Sequence, residues 1–357
     1  MITLLLLLMG QAQPSTPKPL DFIRIAADKT SFETDGKPWR PMGFNYDHDD
    51  AGVLLEDYWD RDWDRVRGDF AEMKALGANA ARIHLQLGKF LDGPTTPNRA
   101  AMAKLRLLCQ LASQIGIRLN LTGLGCYHKK DVPQWYDALD EKGRWDAHAT
   151  FWKTIAREIK EEPIVFCLDL MNEPVVTGGK RQPGDWLGPP FAGKHFVQHI
   201  TLDQANRPRF EIAKAWIDQL VKVIRAEGNK HLITVGLVDW SLDRPGLTSG
   251  FIPEKCCQNL DFISVHLYPK QGKMAEARET LLGFKMGKPV VLEETFALAC
   301  SAKDLGQFLQ SNQADLGGVF TFYWGKPIEQ LKDSKTIGDA ILSEWLTEFK
   351  ALTLNQK

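Results

Sequence analysis

Eight short apolar runs separated by segments of helical periodicity constrain this chain more than any other feature. The runs cover 41–45, 79–85, 118–123, 164–171, 232–237, 262–267, 289–293 and 319–323. Several are continuous rather than alternating, as in Ile164-Val165-Phe166-Cys167-Leu168. A strand that is apolar on both faces must be covered on both, which requires a parallel sheet under helices. Helical patterns near 62–76, 98–115, 146–162, 207–227, 272–286, 302–314 and 337–350 supply the cover, and the interval between the fifth and sixth strands has the weakest one. In the first helix Val66, Phe70 and Met73 share a face and Gly77 ends the pattern. Eight strands in this alternation predict an α/β fold of the (β/α)8 TIM-barrel type, with an open doubly wound sheet as the alternative. Residues 22–39, with Asp35-Gly36 near their end, read as an N-terminal β-hairpin. At 357 residues the chain fits one barrel with long βα loops, a single domain over 20–357.

The N-terminal stretch has a different character. Residues 2–9 are apolar and mostly Leu, followed by Gly10-Gln11-Ala12. Residues 1–12 therefore read as a short signal peptide, too brief to span a bilayer, and 13–19 as a polar leader. A secreted or periplasmic location is expected. Forty-four basic against 45 acidic residues leave a net charge of −1, which removes the attraction to phosphate backbones that a nucleic-acid binder needs. Neither nucleic acid nor membrane is expected as a partner, and the chain is expected to be a monomer. The six cysteines form no CxxC pair and no regular framework, so no disulfide is assigned.

In a barrel, chemistry collects at the C-terminal strand ends, where the βα loops meet. Those ends carry Asn45, Arg82, Tyr127, Asn172-Glu173, Trp240, His266 with Tyr268, Glu293-Glu294 and Trp324. Two carboxylates dominate. Glu173 closes the fourth strand in Leu170-Met171-Asn172-Glu173-Pro174, and Glu294 closes the seventh in Pro289-Val290-Val291-Leu292-Glu293-Glu294. Two carboxylates facing each other across a cleft can cleave a glycosidic bond. One donates a proton to the leaving oxygen while the other attacks the sugar or activates water. Taken singly, each would more often be a solvated acid or half of a salt bridge.

Around these glutamates the sequence resembles glycoside hydrolase family 5 of clan A, retaining β-glycosidases on (β/α)8 barrels that include cellulases and β-mannanases. The matching segments are Asn172-Glu173-Pro174, the strand ending in Glu294, Gly77-Ala78-Asn79-Ala80-Ala81-Arg82, His266-Leu267-Tyr268, Trp324 and Gly43-Phe44-Asn45-Tyr46. The likeness runs from about residue 20 to 350. It implies Glu173 as acid/base and Glu294 as nucleophile. It also implies Asn172 on the sugar 2-hydroxyl, Arg82 and Tyr268 on the nucleophile, His266 orienting substrate or acid/base, and Trp324 as the floor under the sugar. Asn45 and Trp240 are expected as further substrate contacts. The implied partner is a β-1,4-linked glucan- or mannan-type saccharide, with no cofactor and no metal.

Two segments depart from the family pattern. Strand three ends Leu121-Thr122-Gly123-Leu124-Gly125-Cys126-Tyr127-His128 where many relatives carry a His, and His128 is the candidate to take that place from the loop. Glu294 is followed by Thr295-Phe296-Ala297, which keeps Glu293 open as the nucleophile, although the position five after Pro289 favours Glu294. The Gly- and Pro-rich stretch 174–206 is expected to shape the cleft. Trp135, Trp145, Trp186 and Trp240, spread over several loops, suggest platforms for sugar rings and an open cleft for a chain. Trp152, Trp216 and Trp345 fit helix cores.

Other motifs lead nowhere. His195 and His199 have helical spacing without the Glu of a zinc protease, and Asp47-His48-Asp49-Asp50 reads as a polar loop lining the cleft. A dinucleotide fingerprint, a P-loop and a Gly-x-Ser-x-Gly elbow are all missing from the sequence. The competing readings are a carbohydrate-binding barrel without catalysis and a metal-dependent sugar-processing barrel.

Overall fold

The eight apolar runs pair edge to edge and close on themselves. In the computed structural model, which describes residues 20–354, they form β1 (Met42–Asn45), β2 (Ala80–Gln86), β3 (Arg118–Gly125), β4 (Val165–Asn172), β5 (Leu232–Val238), β6 (Ile263–His266), β7 (Val290–Glu294) and β8 (Gly318–Phe322). Each is parallel to its sequence neighbours, and β8 pairs with β1 to complete a closed barrel. Closure leaves no sheet edge unpaired and replaces the doubly wound alternative. The expected signal peptide (1–12) and polar leader (13–19) lie outside the described residues. Among the described residues, no helix is long and apolar enough to cross a membrane.

The covering helices are α1 (Trp63–Ala75), α2 (Arg99–Ile115), α3 (Glu141–Ile159), α4 (Arg209–Ala226), α5 (Pro253–Cys256), α6 (Met274–Gly283), α7 (Ala302–Ser311) and α8 (Ile337–Leu354). Side chains of Asp62, Asn98, Asp140 and Ser301 accept from backbone N–H groups and start four of them. The Asp140 cap starts α3 at Glu141, earlier than its apolar pattern indicates, and so places Trp145 in a helix rather than a loop. The weak interval between the fifth and sixth strands holds a 3-10 turn at Asp239–Ser241 and the single α-helical turn α5. Trp152, Trp216 and Trp345 are fully buried, as expected.

The N-terminal segment forms three short antiparallel strands, Arg24–Ile25, Phe32–Thr34 and Lys37–Trp39. Asp35 and Gly36 both take positive φ (54° and 69°), the pattern of a type I′ hairpin turn. This piece plugs the N-terminal mouth of the barrel. Phe32 is fully buried and packs edge-on against Phe166 (5.2 Å) and Phe262 (5.3 Å). A cavity of about 770 Å³ lies beside the plug, partly lined by Phe32, Trp39 and Asp315. It is larger than the cleft at the other mouth, but it sits at the end where barrels carry stability rather than catalysis.

Candidate active site

At the C-terminal mouth the barrel interior turns from apolar to charged. Arg82 on β2 is completely buried and its planar guanidinium joins three other strands. Nη1 donates to Glu294 Oε1 (2.6 Å) and Asn45 Oδ1 (2.9 Å). Nη2 donates to Asp169 Oδ2 (2.7 Å) and Asn172 Oδ1 (2.9 Å). Its Nε lies 3.7 Å from Glu293 Oε1. Gly236 on β5 makes room for this cluster, since a Cβ there would come within 3.0 Å of Arg82 and 2.9 Å of His266.

Both glutamates of β7 reach Arg82, which strict strand alternation would forbid. A register shift against β6 explains it. Val265 pairs with Leu292 and His266 with Glu294, so Glu293 is the extra residue of a bulge. Glu293 is fully buried and accepts from Asn120 Nδ2 (2.5 Å). Burial alone would raise its pKa, but Arg82 and His266 hold it below the usual carboxylate range. Burial and the charge of Glu293 push Asp169 up to about 7. Glu294 sits at the rim, lines the cleft and accepts from Tyr268 OH (2.9 Å). Of the consecutive pair, only Glu294 lines the cleft.

Glu173 follows β4 in the left-handed region at φ +46°, with its backbone N–H donating to Gly236 O (2.9 Å). A non-glycine residue held there costs on the order of 1–3 kcal/mol. The conformation ends the strand with the side chain in the cleft. His266 Nδ1 donates to Glu173 Oε1 (3.0 Å) and lies 3.4 Å from Glu294 Oε2. Burial alone would depress the His266 pKa, yet the charges of Glu294, Glu173 and Glu293 push it up to about 10. One oxygen of each of Glu173 and Glu294 and a ring nitrogen of His266 lie within 4.8 Å of one another. A metal ion could span that gap, but Glu294 already accepts from Arg82 Nη1 and Tyr268 OH, and the guanidinium charge beside it disfavours a second cation. Hydrolysis is therefore expected to be unchanged by saturating EDTA, and its loss would restore the metal-dependent reading.

The cleft above these groups has a volume of about 460 Å³. Glu173, Glu294, Tyr268 and Trp324 line it, while Arg82, Asn172 and His266 lie beneath the lining. Trp324 stacks with Phe322 (5.5 Å, 27°) and lies nearly parallel to His48 (6.0 Å, 9°). The loop 174–206 contributes Pro189, Phe191, Lys194 and Phe196, as expected of a cleft-shaping segment. Within it Pro174–Val176 and Gln198–Thr201 pair as a small parallel sheet. Asp47 and His48 line the cleft too, as expected.

Several expected contacts lie elsewhere. Asn45 is wholly buried, and its amide donates to Glu293 O (3.0 Å) and Thr321 O (2.8 Å). It ties β1 to β7 and β8 rather than facing a substrate. His128 lies against a small pocket with Leu54 and Cys126, outside the cleft. His84 of β2 lines the cleft instead, paired through Nδ1 with the Tyr127 hydroxyl. Burial, then the Arg82 charge, depresses the pKa of His84 well below its ordinary value, so it is neutral. Trp240 sits in a 3-10 turn away from the cleft lining. Trp145 donates to Ile200 O (2.8 Å), Trp186 is buried under the Arg144 guanidinium (4.2 Å), and Trp135 packs edge-on against Tyr136. None of the four lines the cleft. The sequence reading missed Asp169, Asn120, His84 and Lys194. Asp169 and His84 had a visible signal, a titratable residue inside an apolar run.

A buried acid outside the cleft gives a test of the electrostatics. Glu56 accepts from Gln86 N–H (2.7 Å), while its Oε2 has no donor among the described residues. Burial pushes it from the ordinary 4.5 to about 8. The folded chain then keeps a proton that the unfolded chain loses, so stability falls as pH rises from about 4.5 to 8. The raised His266 contributes stability that is full below 6.5 and lost as pH rises through about 10. Tm is expected to decline from pH 5 to pH 9, and Glu56→Gln to flatten the lower part of that decline. An equally steep decline in the variant would contradict the assignment.

The family model for cellulase (glycosyl hydrolase family 5) matches residues 35–312. Among curated proteins no sequence matches the chain. The fold is similar to a β-mannanase from the blue mussel Mytilus edulis, at 14% identity and a TM-score of 0.61, covering 92% of this chain and 96% of that one. It is also similar to a β-1,4-mannanase from the sea hare Aplysia kurodai, at 16% identity and a TM-score of 0.61, covering 88% and 98%. An exo-β-1,4-mannosidase from Opitutaceae bacterium strain TAV5 superposes with a TM-score of 0.67 at 14% identity, covering 93% of this chain and 62% of that one. With the closed barrel and two strand-end glutamates at its mouth, the chain belongs to glycoside hydrolase family 5.

Proposed function

We propose that the chain hydrolyses β-1,4-linked mannan- or glucan-type saccharides with retention, Glu294 acting as nucleophile and Glu173 as acid/base. The observation that carries this reading is the approach of the two carboxylates, with oxygens inside 4.8 Å of one another. Retaining enzymes separate their carboxyls by about 5–5.5 Å, whereas inverting ones need about 6.5–9.5 Å to admit a water. Glu294 attacks the anomeric carbon, the bond to the leaving oxygen breaks, and the Glu173 proton moves to that oxygen. Water then attacks the same carbon from the opposite face, giving its proton to Glu173 and releasing Glu294. Arg82 and Tyr268 orient Glu294, His266 holds Glu173, and Trp324 offers the ring face of a sugar an apolar floor. The solved structures described above are named as enzymes of mannans, which puts manno-oligosaccharides first among substrates to try.

Glu173→Gln is expected to lower kcat on unactivated saccharides by about 10²–10⁴-fold, the size of general acid catalysis. A dinitrophenyl glycoside, whose leaving group needs no proton, should keep its first step. Full activity of the variant on a polysaccharide would remove Glu173 from this role. The first product seen by NMR is expected to be the β-anomer. An α-anomer would replace double displacement by inversion.

A further inference from the structure

The loop between β4 and α4 holds a lysine inside the cleft. Gly188 N–H donates to Val197 O (2.8 Å), and Phe191 and Lys194 exchange both backbone hydrogen bonds (2.8 and 2.9 Å). Between them Ala192 and Gly193 both have positive φ (46° and 76°), the pair that a type I′ turn requires. The turn leaves Phe191 67% exposed at the rim and Lys194 only 4% exposed. Two contacts fix the loop across the mouth. His195 N–H donates to Tyr127 O, just past β3 (2.8 Å). Lys194 Nζ rests over Gly52, after β1, where a Cβ would come within 2.9 Å of it. The loop thus runs from the end of β4 past β3 to the loop after β1. It walls off that side of the cleft.

Beside the wall stand two oppositely charged groups that feel one another, Asp47 and Lys194, each with hydrogen-bonding capacity left unused among the described residues. Asp47 is 3% exposed and lines the cleft, and its Oδ1 accepts no hydrogen bond from any described residue. Lys194 lines the same cleft; among the described residues its Nζ makes no ion pair within 4 Å, while burial lowers its pKa and the charges of Asp47 and Asp49 oppose that shift. A buried carboxylate oxygen without a donor is costly to maintain, and this one belongs to a residue of the cleft lining, where a ligand can supply the donor. One acceptor and one donor together match sugar hydroxyls, which both give and take hydrogen bonds. The position also assigns the side of the scissile bond. Asp47 and Glu294 line one cleft, Asp47 Oδ2 lies 3.9 Å from His48 Nε2, and the His48 ring lies parallel to Trp324, the floor proposed for the sugar. The leaving group departs toward the proton on Glu173, so the unit that stays bonded to Glu294 lies on the Asp47 side.

We infer that Asp47 and Lys194 bind the hydroxyls of a terminal sugar, and that the walled cleft makes the chain exo-acting, removing one unit at a time from the non-reducing end. This rests on the hydrolase reading above. The test uses the full chain on β-1,4 manno- and cello-oligosaccharides labelled at the reducing end, with the matching aryl β-glycosides and their deoxy analogues. Labelled products each one unit shorter, a monosaccharide as the only unlabelled product, and no gain in rate beyond the disaccharide are expected. Asp47→Asn and Lys194→Met should each raise KM for the aryl glycoside about tenfold or more, with a smaller change in kcat. The penalty for deleting one particular hydroxyl should be large in the parent enzyme and vanish in one of these variants. A merely structural role would leave that penalty unchanged.

Labelled fragments of mixed length from the start would overturn exo action. Equal deoxy penalties in parent and variants would overturn the hydroxyl contacts. Absence of hydrolysis of every glycoside, aryl ones included, would overturn the underlying reading and this inference with it. Internal cleavage abolished by Glu294→Gln would overturn the inference alone.

Discussion

Glu294→Gln is expected to lower kcat by about 10⁴–10⁶-fold, the range that loss of a nucleophile can cost, with little change in fold. The amide is close to the carboxylate in shape; its oxygen can still accept from Arg82 Nη1, and its NH2 can donate to the Tyr268 hydroxyl oxygen. What it cannot do is form the glycosyl ester. Glu293→Gln provides the contrast, because Glu293 is buried beneath the cleft between Arg82, Asn120 and His266. That variant should lose stability and retain most of its turnover. Azide separates the roles further. Added to Glu294→Ala it should restore turnover and yield an α-glycosyl azide, since it attacks from the face the nucleophile used. Added to Glu173→Ala it should yield the β-azide from the glycosyl-enzyme. A near-normal kcat in Glu294→Gln, together with loss of activity in Glu293→Gln, would transfer the nucleophile to the other glutamate.

The largest effect on stability is expected at Arg82. Arg82→Met leaves Asp169, Glu293 and Glu294 without their shared cation, the carbonyl oxygen of Asn172 without its donor, and that of Asn45 with only the longer contact to His84 Nε2. Breaking a buried ion pair by removing one partner costs about 3–5 kcal/mol, and here three acids lose it together. A domain has only about 5–15 kcal/mol in total, so Tm should fall by on the order of 10 °C or more. Removing the cation raises the folded-state pKa of each acid toward its neutral form. The defect is then smallest at low pH, where the acids are protonated in both states, and grows as pH rises through the carboxylate range. Arg82→Lys should be intermediate, because one ammonium cannot span acceptors that Arg82 reaches with two nitrogens. Thermal denaturation at pH 5 and pH 8 checks both points. A Tm within a degree or two of the parent would show that the barrel does not depend on this charge.

The chain's periodicity was sufficient for a parallel sheet under helices, and the pairing of β8 with β1 decided the closed barrel over the doubly wound sheet. Continuous apolar runs of five to eight residues fit strands buried on both faces, and eight of them alternating with amphipathic segments are what a barrel requires. Polar residues that follow such runs must lie at the barrel mouth, which is why Glu173, Glu294, Arg82, Tyr268 and Trp324 were legible from order alone. Local pattern could not distinguish side chains that share a strand end. Whether Glu293 or Glu294 enters the cleft depends on a bulge against β6, and Arg82 meets Glu294 across 212 residues of sequence. Asn45 looks like a substrate contact until β7 and β8 supply carbonyls for its amide. His128 is close in sequence to the strand-three end, yet His84 takes the place in the cleft because inward direction is fixed by barrel register. The loop tryptophans are equally ambiguous, since an indole satisfies its apolar face against a sugar or against the guanidinium of Arg144. Sequence determined which elements form and which residues reach the mouth, because those follow from hydrophobic period and strand length. Tertiary structure decided which groups face the cleft and that Lys194 returns to it across the loop, because cross-strand register and loop closure are set by contacts between residues far apart in the chain.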